Sequence, residues 1–201
     1  MEQEEQETTP FLTDEEGRLL LRIARTALEQ WVREQVRVSV ESFPLTPRLR
    51  ERHGAFVSLR INGMLRGCVG YAAAVEPLAL TVRENAINAA CLDTRFSPVS
   101  AQELPNIRVE VSVLIPADSQ DSPFRRVQRL DEIEIGRDGL YIERDGARGG
   151  LLLPQVAADE GWDRETFLAA VCRKAEYPAD AWPAPNCSLY RFSTQVFKET
   201  A

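Results

Sequence analysis

From Ile107 to Ile115 the chain alternates: Ile107, Val109, Val111, Val113 and Ile115 are apolar, and Arg108, Glu110 and Ser112 between them are polar. A period of two predicts a half-buried strand, with only Leu114 breaking the polar side before Pro116 ends the run. Elsewhere the period is helical. Thr13-Asp14-Glu15-Glu16 is a capping box, and Leu19, Ile23, Ala27 and Trp31 follow as an apolar stripe, predicting a helix to about Gln35. Glu76-Pro77 opens a second helix to about Leu92, with Leu80, Ile87 and Cys91 beside a polar stripe of Thr81, Glu84, Asn85 and Asn88. Asp163 caps a third through about Lys174, with Leu168, Val171, Cys172 and Ala175 facing inward.

Between these lie shorter signals. Pro44 to Arg52 reads as a linker and Asp118 to Arg129 as a polar connection. Ile133-Glu134-Ile135 and Leu140-Tyr141-Ile142 form a hairpin-like pair about Asp138-Gly139. Leu151-Leu152-Leu153-Pro154 is a short buried strand or turn, and a last strand runs from Leu189 to Phe192 and on towards Val196-Phe197. Strand pairs joined by tight turns and separated by three helices give an α+β fold, a largely antiparallel sheet flanked by helices.

One hairpin stands out. Phe56 to Ile61 is followed by Asn62-Gly63, a two-residue turn that needs positive φ at both positions, and by Leu65-Arg66-Gly67-Cys68-Val69-Gly70. Pairing Ile61 with Met64 sets Leu59 opposite Arg66 and Val57 opposite Cys68. One face then reads Ala55, Val57, Leu59, Ile61, Met64, Arg66, Cys68, which puts a charge and a thiol on an apolar face.

A chain of 201 residues is long enough for one good core or for two small subdomains. No apolar run approaches the roughly 20 residues of a membrane helix. Met1 to Glu7 is acidic, opposite in character to a secretory signal, so residues 1–12 read as a disordered acidic tail before a single domain over residues 13–201. That tail holds four of the acids behind the net charge of −7 and leaves the rest mildly acidic, which disfavours general nucleic-acid binding despite Arg48, Arg50, Arg52, Arg60 and Arg66. Cys68, Cys91, Cys172 and Cys187 have no paired spacing, and His53 is the one histidine. Neither a metal site nor a bound cofactor is expected, and the reading is a reduced, cytoplasmic protein.

The candidate chemistry follows from the hairpin. A guanidinium on an apolar face needs a carboxylate or a bound anion, and Glu84, Asp93 and Glu110 are the carboxylates on offer to Arg66. Cys68 is a nucleophile if Arg66 lowers its pKa, or a small buried thiol opposite Val57. Gly67 and Gly70 either admit a ligand or mark a bulge. Glu110 and Ser112 are either a solvated face or available for chemistry. Cys91 and Cys172 read as core, and Cys187 as a loop thiol.

Several segments together resemble the AMMECR domain family, protein A of the AmmeMemoRadiSam system. They are Leu65 to Gly70, Asp93-Thr94-Arg95-Phe96, Val109 to Leu114, Asp138-Gly139-Leu140, Gly150 to Val156, Cys172-Arg173-Lys174-Ala175, and Phe192 to Glu199. Val69 stands where isoleucine is common, and Glu176 where a small residue often follows Ala175. The resemblance implies two interleaved α/β sandwich subdomains with a cleft between them. It implies that Arg66, Cys68, Asp93, Arg95, Glu110, Gln155 and Lys174 gather near that cleft. It further implies a shared pathway with a Memo-type protein and a radical enzyme, either of which is a candidate partner. It supplies no reaction.

The expected function is therefore binding of a small anionic ligand, with Arg66, Gly67, Gly70, Asp93, Arg95, Gln155 and Lys174 as ligand-binding residues and Cys68 and Glu110 as catalytic candidates. Whether the chain is an enzyme stays open at this point. The alternatives are a non-catalytic interaction module and a Cys68-dependent enzyme. Nucleic-acid binding stands behind these.

Overall fold

In the computed structural model, which describes residues 10–117, 122–147 and 149–200, Thr13 Oγ accepts the Glu16 N–H at 3.2 Å. The Glu16 carboxylate returns the favour to the Thr13 N–H at 2.9 Å. This closed capping box starts helix α1 (Asp14–Glu34), whose Leu19, Leu20, Ile23, Ala24, Ala27 and Leu28 are buried. There follow α2 (Pro47–Arg50), β1 (Ala55–Ile61), β2 (Met64–Tyr71), α3 (Leu78–Cys91) and β3 (Ile107–Leu114). The later elements are β4 (Arg125–Arg126), β5 (Gly139–Arg144), β6 (Gly150–Leu152), α4 (Pro154–Asp159), α5 (Arg164–Lys174), β7 (Cys187–Phe192) and β8 (Thr194–Lys198).

The chain divides into two units, one formed by residues 1–113 with 195–201 and one by residues 114–194. In the first, the strands lie in the order β2-β1-β3-β8. Helix α3 covers β1 and β2, and α1 packs on α3. Gly17 of α1 lies under the Phe197 ring of β8, and any side chain at residue 17 would overlap that ring. In the second unit the order is β4-β7-β5-β6, with α5 against β5 and β6 around Leu140, Ile142, Phe167, Leu168 and Val171. The β1–β2, β1–β3, β4–β7, β5–β6 and β5–β7 ladders are antiparallel, giving the expected α+β fold.

Several sequence expectations change. Residues 1–9 of the expected tail lie outside the described residues, but Leu12 is fully buried, with its N–H and carbonyl both bonded at 2.8 Å to the Gln195 amide. Ile133 to Ile135 is not a strand. Asp138 bonds the Glu134 N–H through its carboxylate, and its own N–H bonds the Glu134 carbonyl, both at 2.9 Å, so the segment is a turn. The last strand is two strands in two sheets, divided at Ser193, whose carbonyl accepts the Ile115 N–H at 3.0 Å. Cys187 is buried in the second core at the start of β7 rather than in a loop.

The hairpin register changes most. Asn62 (φ 53°) and Gly63 (φ 80°) form the expected turn and Ile61 pairs with Met64. Beyond Arg60↔Leu65 the register shifts, giving Leu59↔Gly67, Ser58↔Cys68 and Val57↔Val69. Arg66 is the extra residue of a β-bulge, and the slip of one residue moves Cys68 from the apolar to the polar face. Gly67 takes the apolar side, where a Cβ would overlap the Ala89 carbonyl of α3. Its missing side chain lets the helix backbone rest directly on the strand.

Candidate functional site

The polar face of the first sheet carries a row of three chemically capable groups. Ser58 on β1 pairs with Cys68 on β2 and with Glu110 on β3, so adjacent residues stand about 5 Å apart across the sheet. Ser58 Oγ donates to Cys68 Sγ at 3.2 Å. The Glu110 carboxylate lies 3.1 Å from Lys198 Nζ and 3.7 Å from Arg60 Nε. The solvated reading of this face is overturned, because Ser58, Glu110 and Ser112 are only 4%, 3% and 1% exposed.

The turn after α3 fixes the Cys68 end. Asp93 Oδ2 accepts the Cys68 N–H at 2.8 Å, covering an outward group of edge strand β2. Arg95 grips the same carboxylate through Nε at 2.9 Å and Nη2 at 2.7 Å, and its backbone N–H adds a contact at 3.2 Å. These bonds from Arg95, joined by that from the Cys68 backbone and opposed by burial, hold the Asp93 pKa down at about 2. Asp93 and Arg95 together thus clamp β2.

Arg66 is placed differently from its sequence reading. The bulge takes it off the apolar face, and its partner is none of Glu84, Asp93 and Glu110. Its Nε donates to Glu103 Oε1 at 2.6 Å, and its Nη2 lies 3.3 Å from Oε2 and 3.5 Å from the Pro98 carbonyl. Glu103 also accepts the Ser100 N–H at 2.8 Å and the Ser100 hydroxyl at 2.9 Å. The Arg66 bond first, then those from Ser100, bring its pKa down to about 2. The Phe96 ring is flanked by both guanidinium groups, 5.9 Å from that of Arg66 and 5.5 Å from that of Arg95.

Cys68 is therefore not activated by Arg66. Burial pushes its thiol pKa up, and the Ser58 hydrogen bond and the Arg95 charge draw it only partly back, while Asp93 and Glu110 add to the rise. At neutral pH the group is a thiol, able to hydrogen-bond.

The remaining expected site residues lie on β2, α4 and α5. Gly70 pairs with Phe56, whose ring would overlap any side chain there. Gln155 is half-buried in the first turn of α4, and Lys174 is exposed at the end of α5, both in the second unit. His53 sits 3.3 Å from Glu51 and edge-on to Phe11. Sequence reasoning missed Ser58 and Glu103. Ser58 is visible as a polar residue between Val57 and Leu59, and Ser100-Ala101-Gln102-Glu103 has the spacing of a capping box. Among the described residues, no helix is long and apolar enough to cross a membrane, and no cluster of three or more His, Cys, Asp or Glu side chains is placed to hold a metal.

Comparison with known proteins places these features in a family. The AMMECR1 family model matches residues 21–197. A protein of Thermofilum pendens is 44% identical over 200 residues, covering 94% of this chain and 92% of its own. One of Methanothermobacter thermautotrophicus is 45% identical over 190 residues, covering 94% and 96%. The crystal structure of uncharacterized protein PH0010 from Pyrococcus horikoshii superposes with a TM-score of 0.87 at 36% identity, covering 94% of each chain.

Proposed function

The chain belongs to the AMMECR1 family, and from that premise we propose that it binds a small anionic ligand on the polar face of the first sheet, over the row Cys68–Ser58–Glu110. The observation that carries this reading is the row itself: a thiol, a hydroxyl and a carboxylate in adjacent cross-strand positions. Buried polar groups cost stability unless they are satisfied, so a sheet face that keeps three together has a use for them. A half-exposed cation flanks each end, Arg95 at 49% beside Cys68 and Lys198 at 59% beside Glu110. An anionic group of the ligand meets one of these, and its polar body hydrogen-bonds along the row.

Glu110 is the acceptor at one end of the row, and Cys68, held in place by Asp93, is the hydrogen-bonding group at the other. Nucleophilic catalysis would need a thiolate that burial disfavours, so binding is the function the geometry supports best. An anion at Arg66 is the weaker arrangement: all three cations are paired with a carboxylate, but the Arg66 side chain is only 15% exposed. Partnership with a Memo-type protein or a radical enzyme rests on the family resemblance alone, and co-purification from the native organism tests it.

The ligand reading is tested by a thermal-shift scan of small organic acids and phosphates against wild type, Arg95→Gln and Ser58→Ala. A compound that stabilises wild type and loses its effect in both variants supports the site. Equal responses of all three proteins to every compound remove it.

A further inference from the structure

A cavity of about 700 Å³ opens in the first unit between α1, the turn before β3, and β8. Arg18, Leu21 and Arg25 line it at helical spacing along one face of α1, and Arg108 and Lys198 face them from β3 and β8. Leu104 and Pro105 add apolar surface. The volume lies within the roughly 300–1,000 Å³ usual for small-molecule sites.

The charges in this cavity differ from those of the chain as a whole, which carries −7. Arg25 is spoken for: its guanidinium is bonded to Glu199 and to the carbonyls of Leu104 and Ile107, with Glu29 3.8 Å away. Lys198 is shared with Glu110. Arg18 and Arg108 are different. Both are exposed, and neither is in an ion pair among the described residues; Arg108 reaches only the carbonyls of Pro105 and Ile107, at 3.5 and 3.3 Å. Two guanidinium groups outside any ion pair thus face a cavity whose lining also holds Glu29 and Glu199, the two carboxylates that engage Arg25, beside the apolar Leu21, Leu104 and Pro105. Such planar donors match phosphate and carboxylate oxygens, and two of them suit a doubly charged group.

We propose that this cavity is a binding site for a small organic phosphate monoester, its phosphate between Arg18 and Arg108 and its apolar part against Leu21 and Leu104. The site goes beyond the row on the sheet face, and Lys198 is the one residue common to both. Binding therefore draws on a cation that also serves Glu110.

Titration calorimetry of the full chain at low salt, with phenyl phosphate and inorganic phosphate as probes, tests the proposal. Phenyl phosphate is expected to bind saturably. Arg18→Gln and Arg108→Gln should each weaken it by about tenfold or more, the loss of one charge-assisted hydrogen bond. Both changes are on exposed side chains, and unaltered thermal unfolding verifies that the variants are folded. No saturable binding, or affinity unchanged in both variants, overturns the site; equal affinity for inorganic phosphate overturns the organic ligand. Because neither substitution touches Cys68, Ser58 or Glu110, this site and the sheet-face site fail separately.

Discussion

The carboxylate of Asp93 accepts the backbone N–H of Cys68 at 2.8 Å while Arg95 holds both its oxygens. One side chain thereby joins the turn after α3 to the edge of β2. Removing it in Asp93→Ala leaves the Arg95 charge and the Cys68 N–H without their shared partner. Urea unfolding should show a loss of about 1–3 kcal/mol, with Asp93→Asn intermediate because its amide oxygen still accepts. Unchanged stability in Asp93→Ala would show that the clamp contributes nothing.

The same carboxylate predicts a pH dependence. Asp93 and Glu103 titrate in the folded state at about 2, below their ordinary values of 3.8 and 4.5. A lowered carboxylate pKa contributes stability that is complete above the ordinary value and is lost as pH falls through the folded one. Stability should therefore decline as pH drops from about 4.5 to 2. In the double variant Asp93→Asn, Glu103→Gln the slope across that window should be shallower, as read by denaturant midpoints at a series of pH values.

Cys68 should behave as a shielded thiol. Burial raises its pKa above the ordinary 9.0, so iodoacetamide labelling, followed peptide by peptide, is expected to stay slow at pH 7 and to climb only above about pH 9. An inflection near neutrality would instead restore the nucleophile reading and make catalysis by Cys68 the better account.

Gly17 reverses a common expectation. Alanine in place of glycine inside a helix normally gains about 1 kcal/mol, but at residue 17 the new methyl would overlap the Phe197 ring. Gly17→Ala should destabilise by about 1–3 kcal/mol, and adding Phe197→Ala should recover part of that loss rather than compound it. Simple additivity in a double-mutant cycle would show that helix and strand are not in contact there.

Much of this architecture was legible because periodicity reports burial. Thr13 with Glu16 gave the start of α1, Asn62-Gly63 the hairpin turn, and the alternation of residues 107–115 the strand that carries Glu110. The register of β2 was not legible, for a physical reason. Alternation is read from side chains, and a strand with glycines at 67 and 70 has too few to fix its phase. Val69 was the available clue, since an inward valine opposite Val57 demands one extra residue before it. Nor could alternation find Glu103, because an ion pair made through a loop has no period. The error mattered, since it placed Arg66 and Cys68 together on the apolar face when the bulge separates them.

The bulge makes its own prediction. If Arg66 is the extra residue, deleting it joins Leu65 to Gly67 and gives an unbroken ladder in which Gly67 still faces Leu59 and Cys68 still faces Ser58. Without a bulge, the same deletion would turn Cys68, Val69 and Gly70 to opposite faces and expose Val69. The deletion variant should fold cooperatively. It should lose about 1–3 kcal/mol with the Arg66–Glu103 contact, and its Cys68 labelling rate should stay near that of wild type. Gly67→Ala is the matching control: it keeps the bulge but sets a methyl against the Ala89 carbonyl, and should cost about 3 kcal/mol. A deletion variant less stable than Gly67→Ala, with Cys68 freely labelled, would mean that the strand has slipped and that Arg66 holds the register by more than its count.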